Sequence, residues 1–234
     1  MNRTTWIVIG VICLLGLGGL VAFTKQGETN VDNIDAATVL QSSNGSIGDR
    51  TTGKSGAKVI VFEYADYQCP GCGAAYPTIK SIQETYKDKV TFVFRNFPLT
   101  SIHPNALAAA SVAEAAGQQG KFWEMHDLLF TQRSAWVNLT ADQRGSVFLS
   151  YAQQLGLDTA KFTSDQSSKL VSEKINLDRA LGGKMGVSST PSFFIGSTKV
   201  DSTTTDEVIN SKPDAFMSKL DDALRAAGET PPAR

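Results

Sequence analysis

Cysteine is scarce in this 234-residue chain, occurring three times, at Cys13, Cys69 and Cys72. A secreted scaffold stapled by disulfides would carry more, so the pair at 69 and 72 reads as working chemistry rather than reinforcement. An excess of one charge sign is also missing. The chain has 22 Lys and Arg against 23 Asp and Glu, a net charge of −1, with no run of like charges. Nothing here suits a nucleic-acid partner. Histidine occurs only twice, at His103 and His126. A zinc site built from these two and the cysteines would fit no usual finger spacing. Covalent haem attachment would need His directly after Cys72, where Gly73 stands. No metal and no cofactor is therefore expected. What remains is the composition of an ordinary globular protein, with room for one good-sized domain plus appendages.

There is one long hydrophobic run. Trp6 to Phe23 carries no charge, and as a helix it would span about 27 Å against about 30 Å of hydrocarbon. Residues 1–23 are read as an N-terminal transmembrane anchor. Arg3 and the terminal amine precede the run and only Lys25 follows closely, so a single-pass topology is expected, with a cytoplasmic N-terminus and an extracytoplasmic domain at the cell membrane. The competing reading is a cleaved signal peptide, but no small-x-small cleavage site follows the run. Cys13 within it is apolar filler. Residues 24–57, rich in Asn, Ser, Thr, Asp and Gly, read as a polar linker with a reach of ~30 Å if flexible throughout. A short ordered piece around Ile34 to Leu40 would fit within it.

The rest of the chain is arranged around Cys69-Pro70-Gly71-Cys72. Before it, Lys58-Val-Ile-Val-Phe-Glu-Tyr64 has the β-branched and aromatic character of a strand buried on both faces. After it, apolar residues recur at helical spacing from Pro70 to Asp88, with Pro77 expected to kink the helix. The cysteines thus stand where a strand hands over to a helix. Unpaired first-turn N–H groups and the helix dipole stabilise an anion there, so Cys69 near the N-cap should ionise easily. Cys72, one turn in, is more buried and suited to resolving a mixed disulfide. Val90 to Phe97 is a second strand, parallel to the first through a right-handed crossover. Helices are then expected over Pro104–Gln118, Lys121–Thr131, Thr140–Leu155, a shorter piece from Asp158, and Lys169–Met185. They amount to a helical subdomain at about 103–186 inserted in an α/β domain. Ser192–Gly196 and Thr198–Asp201 form a hairpin, and Asp214–Ala227 is a closing helix.

Cys69-Pro-Gly-Cys72, the later Gly186-Val-Ser-Ser-Thr190-Pro191-Ser-Phe-Phe, Phe94-Arg-Asn-Phe-Pro-Leu99 and the His103-Pro-Asn-Ala turn together resemble the DsbA-like thiol–disulfide oxidoreductases of the thioredoxin fold. The likeness runs from about Lys58 to Ala227, within a domain taken as 58–230. It implies an α/β thioredoxin-like fold with a helical insertion. It also implies that Glu63, six residues before Cys69, is a buried acid assisting proton transfer at the inner cysteine. Pro191 would be the cis-proline facing the cysteines, and Thr190 the residue whose backbone pairs with substrate. As catalytic residues the resemblance gives Cys69, Cys72 and Glu63; as the motif between the cysteines, Pro70 and Gly71; as substrate-binding residues, Thr190 and Pro191. Glu63 could instead merely satisfy polar groups beneath the sheet.

The direction of catalysis is open at this level. Pro-Gly stands between the cysteines where strongly oxidising members have Pro-His, and Thr precedes Pro191 as in several reductases and isomerases. Residues 24–57 are too few and too polar to make an isomerase's dimerisation domain. An oxidase acting on reduced or unfolded exported polypeptides is the first reading, and a membrane-anchored reductase or isomerase the second. Family resemblance suggests a quinone-linked membrane reoxidant of DsbB or vitamin K epoxide reductase (VKOR) type. A reading from another class is a peptide-binding holdase with a vestigial cysteine pair.

Overall fold

The structure, a computed structural model, describes residues 29–43 and 45–233. The expected anchor at 1–23 and Cys13 lie outside the described residues. Among those described, no helix is long and apolar enough to cross a membrane. Val31–Arg234 is one compact unit.

Five strands form one sheet in the order β1-β3-β2-β4-β5. They are β1 (Arg50–Gly53), β2 (Val59–Ala65), β3 (Val90–Asn96), β4 (Ser192–Ile195) and β5 (Thr198–Lys199). β2 and β3, nearly continuous runs of buried residues, pair in parallel with Val61 opposite Phe92 and Glu63 opposite Phe94. Helix α1 (Pro70–Tyr86) makes the crossover between them, as parallel strands require. β4 runs antiparallel to β2, placing Phe193 opposite Glu63, and β5 folds back on β4. Gly196 in that two-residue turn has φ of 57°, a conformation open to glycine at little cost.

Between β3 and β4 come α2 (Ala106–Gly117), α3 (Phe122–Thr131), α4 (Ala141–Gln154), α5 (Thr159–Gln166) and α6 (Lys169–Lys184). After β5 come α7 (Ser202–Ile209) and α8 (Asp214–Ala226). One face of the sheet packs Val59, Val61, Phe92 and Phe193 against Ile79 and Ile82 of α1 and Phe216 and Leu220 of α8. The other face buries Phe62, Tyr64, Val93 and Phe194 with Val187. A third core, built on Met125, Leu129, Trp136, Phe148 and Phe162 of the helical insertion, takes in Cys69 and Cys72 themselves. The cysteine pair therefore sits at the seam between sheet domain and insertion.

The expected linker at 24–57 needs correction over 31–57. This stretch is fastened to the domain rather than free. β1 pairs antiparallel with β3, and Val31, Ala36, Ile47 and Ala57 are buried. Lys184 Nζ donates to the carbonyls of Val31, Asp32 and Ile34 at 2.7–2.9 Å. Arg95, wholly buried, binds Asp49 through two nitrogens at 3.0 and 2.8 Å and donates to the carbonyls of Ala36 and Thr38. Polar composition here marks a strap tied down by charge, not a tether.

The strand expected at Thr198–Asp201 ends at Lys199. Asp201 instead caps α7, its carboxylate accepting from Thr204 N at 2.9 Å. α1 runs through Pro77 as one element from Pro70 to Tyr86.

Candidate active site

Cys69 is the N-cap of α1, with an extended backbone (ψ 128°) and Pro70 in the first turn. Proline lacks the N–H that the first turn would leave unpaired anyway, which is why it begins the helix without cost. The turn before the helix is closed by Cys69 N–H donating to Asp66 O at 3.0 Å, and Gly73 N–H returns to Cys69 O at 3.1 Å. Both cysteines are free thiols. Cys69 is 8% exposed and Cys72 wholly buried.

Thr190–Pro191, a cis peptide, closes the other side of the site. The Cys69 thiol donates to Thr190 O at 3.3 Å. A Cβ on Gly71 would lie 3.4 Å from Pro191 Cδ and 3.6 Å from Ile209 Cδ1, so position 71 faces the proline and α7. Beside Pro191 a polar groove opens, lined by Thr190, Lys199, Thr205, Asp206 and Ile209. Four of the residues singled out from sequence (Cys69, Gly71, Thr190 and Pro191) thus meet, with Cys72 one turn behind them.

The two sulfurs are electrostatically opposite. Cys69 is drawn down from 9.0 to about 5. The hydrogen bond from Cys72 contributes most, burial opposes it, and the Thr190 side chain and the N–H groups of Cys72 and Gly71 add to the lowering. The first-turn amides act as expected, yet the neighbouring thiol does more than they do. Cys72 is pushed well above 9.0, chiefly by burial and then by its role as donor to Cys69. Alkylation of the reduced protein with iodoacetamide, followed by mass spectrometry against pH, should show one thiol reaching half its maximal rate near pH 5. A single transition near the ordinary 9.0 would contradict the asymmetry.

Glu63 is buried, at 7% exposure, and burial alone raises its carboxyl from 4.5 to about 8. It lines a narrow apolar pocket with Ile79 and Gln83 of α1 and Phe193 of β4. No hydrogen bond joins it to either sulfur in the structure. It is a protonatable group beneath the helix rather than a direct partner of Cys72.

Sequence reasoning missed Asp66. Its carboxylate accepts Gln68 N–H at 2.7 Å and Leu99 N–H at 2.9 Å, and meets His103 Nδ1 at 2.7 Å. An acid three residues before a Cys-x-x-Cys motif was the available signal. The other histidine, His126, is buried among the rings of Tyr67, Phe94, Trp123 and Phe130, so the two histidines do not converge on the thiols.

A family model described as thioredoxin matches residues 45–211, well over half of the chain. Among solved structures, a thioredoxin-like oxidoreductase from Silicibacter pomeroyi is 25% identical with a TM-score of 0.55, covering 71% of this chain and 92% of that one. Wolbachia pipientis α-DsbA1 is 24% identical with a TM-score of 0.58, covering 74% and 94%. Oxidised BdbD from Bacillus subtilis is 19% identical with a TM-score of 0.61, covering 82% and 99%; the last two likenesses are of fold. Curated relatives include a Na(+)/H(+) antiporter NhaA 3 of Salinispora tropica, 39% identical over 147 residues, which are 63% of this chain and 21% of that protein. The chain thus spans about a fifth of the length of such relatives, whose name describes a much longer polypeptide. With the family model spanning both cysteines and the cis-proline, the chain belongs to the thioredoxin family and has the fold of the DsbA-like thiol–disulfide oxidoreductases.

Proposed function

We propose that this protein is a thiol–disulfide oxidoreductase that forms disulfides in exported polypeptides. The observation that carries this reading is the unequal pair of sulfurs, with Cys69 at the helix mouth held near 5 and Cys72 buried and well above 9.0. Starting from the Cys69–Cys72 disulfide, a substrate thiolate attacks Cys69 Sγ and displaces Cys72 as thiolate. A second substrate thiolate then attacks the substrate sulfur of the mixed disulfide and expels Cys69. The substrate leaves oxidised by two electrons and the enzyme dithiol holds them. Cys69 is a good leaving group because its thiolate is stable.

The sign of the effect is set by linkage. Cys69 ionises more easily in the reduced folded protein than a free thiol does. That lowering stabilises the reduced form above pH 5 and is lost as pH falls through 5. At pH 7 the stabilisation is worth roughly two pH units, or ~60 mV toward oxidant behaviour. In this reading Thr190, whose carbonyl accepts from the Cys69 thiol, pairs through its backbone with an extended substrate, which gives little side-chain selectivity. In this reading Glu63, neutral at pH 7 with a carboxyl near 8, exchanges protons with the buried thiol over longer range. The resident disulfide is regenerated by a quinone-linked membrane protein of DsbB or VKOR type. The domain works outside the cytoplasm, held at the membrane by the apolar segment 1–23.

A membrane-anchored reductase or isomerase is the second reading, favoured by Gly71, which supplies no imidazole beside Cys69. The equilibrium reduction potential decides between them. A value near about −120 mV supports the oxidase and one near about −270 mV overturns it. With one thiol ionised between pH 5 and 9, the potential should fall by about 30 mV per pH unit there and about 59 mV below pH 5.

A further inference from the structure

Asp66 is tied to both reactive cysteines, yet the exchange chemistry above gives it no part. Its backbone N–H donates to Cys72 Sγ at 3.5 Å, and its carbonyl accepts the Cys69 N–H at 3.0 Å. Its side chain is wholly buried, where an ionised carboxylate must be satisfied by donors. Three are supplied, by Gln68 N–H in the turn before α1, Leu99 N–H in the loop after β3, and the His103 ring. The His103 side chain is 15% exposed, so this pair reaches from the core to the rim of the site.

We propose that the Asp66 N–H takes up the negative charge that appears on Cys72 when the Cys69–Cys72 disulfide opens, and that the carboxylate, with His103, holds that N–H on the sulfur. The inference rests on the exchange reaction proposed above. As the substrate sulfur bonds to Cys69, the Cys69–Cys72 bond breaks and its electron pair stays on Cys72. No proton is needed at that instant, so a thiolate forms in an apolar, wholly buried position. A preorganised backbone donor is the cheapest way to accept it, because it reorganises nothing. Among the influences on Cys72, the Asp66 N–H is one that favours the thiolate against burial. Asp66 is thus catalytic through its main chain, and its carboxylate and His103 act as positioning groups.

Asp66→Asn tests this. The amide keeps one oxygen but turns an N–H toward a site where Leu99 already presents one, so the turn loosens while the backbone N–H survives. The oxidised full-length protein is mixed with dithiothreitol, and opening is followed by acid quench and mass spectrometry. Both thiols of the reduced protein are titrated by alkylation. Disulfide opening should slow roughly tenfold or more, with Cys72 ionising at still higher pH and the Cys69 profile staying near pH 5. His103→Ala should move the same readouts in the same direction by a smaller factor. An unchanged opening rate in Asp66→Asn overturns the proposal, as it does in His103→Ala if the first variant fails to fold. A slowdown in which both thiol profiles move together also overturns it, since that marks a general loosening. If the wild type itself opens no disulfide, the proposed function falls instead.

Discussion

Cys69→Ser is expected to abolish thiol–disulfide exchange, while Cys72→Ser leaves a protein that captures substrates as stable mixed disulfides. The two sulfurs differ in access before they differ in chemistry. Cys69 borders the Pro191 face, its sulfur 3.3 Å from Thr190 O, whereas Cys72 is 0% exposed. An incoming thiolate needs an in-line approach to the sulfur it attacks, and only Cys69 offers one. With Ser at 69, neither the resident disulfide nor the mixed disulfide can form, so turnover should drop to background. With Ser at 72 a hydroxyl replaces the thiol that contributes most to lowering Cys69. Serine still donates a hydrogen bond, so Cys69 should remain ionised near neutral pH. Cys72→Ala removes the donor, and its alkylation profile should move to higher pH than that of Cys72→Ser. Mass spectrometry of protein incubated with reduced and oxidised peptides reads all three variants. Residual turnover in Cys69→Ser would sink the proposed chemistry. A biological effect that survives loss of both cysteines would favour the holdase.

The strand, Cys-x-x-Cys and helix unit was legible in the sequence because three signals coincide there. A buried β-branched run before the cysteines, the Cys-x-x-Cys spacing itself and apolar residues recurring at helical spacing after it fall together. The hairpin at Gly196 was legible for the same kind of reason, a glycine at a positive-φ turn between apolar runs. β1 was not. Arg-Thr-Thr-Gly is polar, and its burial pattern alternates only between partly buried and exposed. It is a strand because β3 offers it an open edge, which is tertiary information. α7 hid behind three threonines and a cap mistaken for strand. At the site, the pair Cys69 and Cys72 could be read locally, and so could Pro191. Asp66 showed only its place three residues before the motif; beyond Gln68, its partners at 99 and 103 are brought near by the fold. Nor could the sequence show that Glu63 lies level with Ile79 and Gln83 rather than bonded to a sulfur.

Arg95→Met should cost about 3–5 kcal/mol, the loss typical when one member of a buried ion pair is removed. In a domain of this size that is a fall in melting temperature of roughly 10 °C. The reason lies in how fully the guanidinium is used. Arg95 is 0% exposed and all five of its N–H groups have acceptors. Nε and one terminal nitrogen take the two oxygens of Asp49, and the remaining protons go to the carbonyls of Ala36 and Thr38 and to Tyr64 OH. Its face lies 4.5 Å from the Phe62 ring centroid. Methionine fills the volume and satisfies none of these acceptors. Asp49 would keep Lys174 at 3.5 Å and the Leu40 N–H at 2.8 Å, which is too little for a buried charge. Lysine, with three donors and no fork, cannot substitute either. Adding Asp49→Leu to Arg95→Met should recover part of the loss, since the stranded charge goes, but not all of it. The carbonyls of Ala36 and Thr38 stay unpaired in either case, and in the double variant the Leu40 N–H loses its acceptor as well. The pH dependence carries the same signature. Burial pushes the Asp49 carboxyl up, but Arg95 and Lys174 outweigh it and hold the group below 3.8. Its contribution is therefore complete above pH 3.8 and lost as pH falls through the lowered value, and in Arg95→Met, with burial no longer outweighed, that acid-side loss should shrink or reverse. Since Arg95 binds the strap and not the cysteines, the variant should show protease cleavage within 31–49 while its alkylation profile for Cys69 stays near pH 5. Uncut strap and an unchanged melting temperature would mean that segment is held by its few apolar side chains, and that the buried charges merely balance one another.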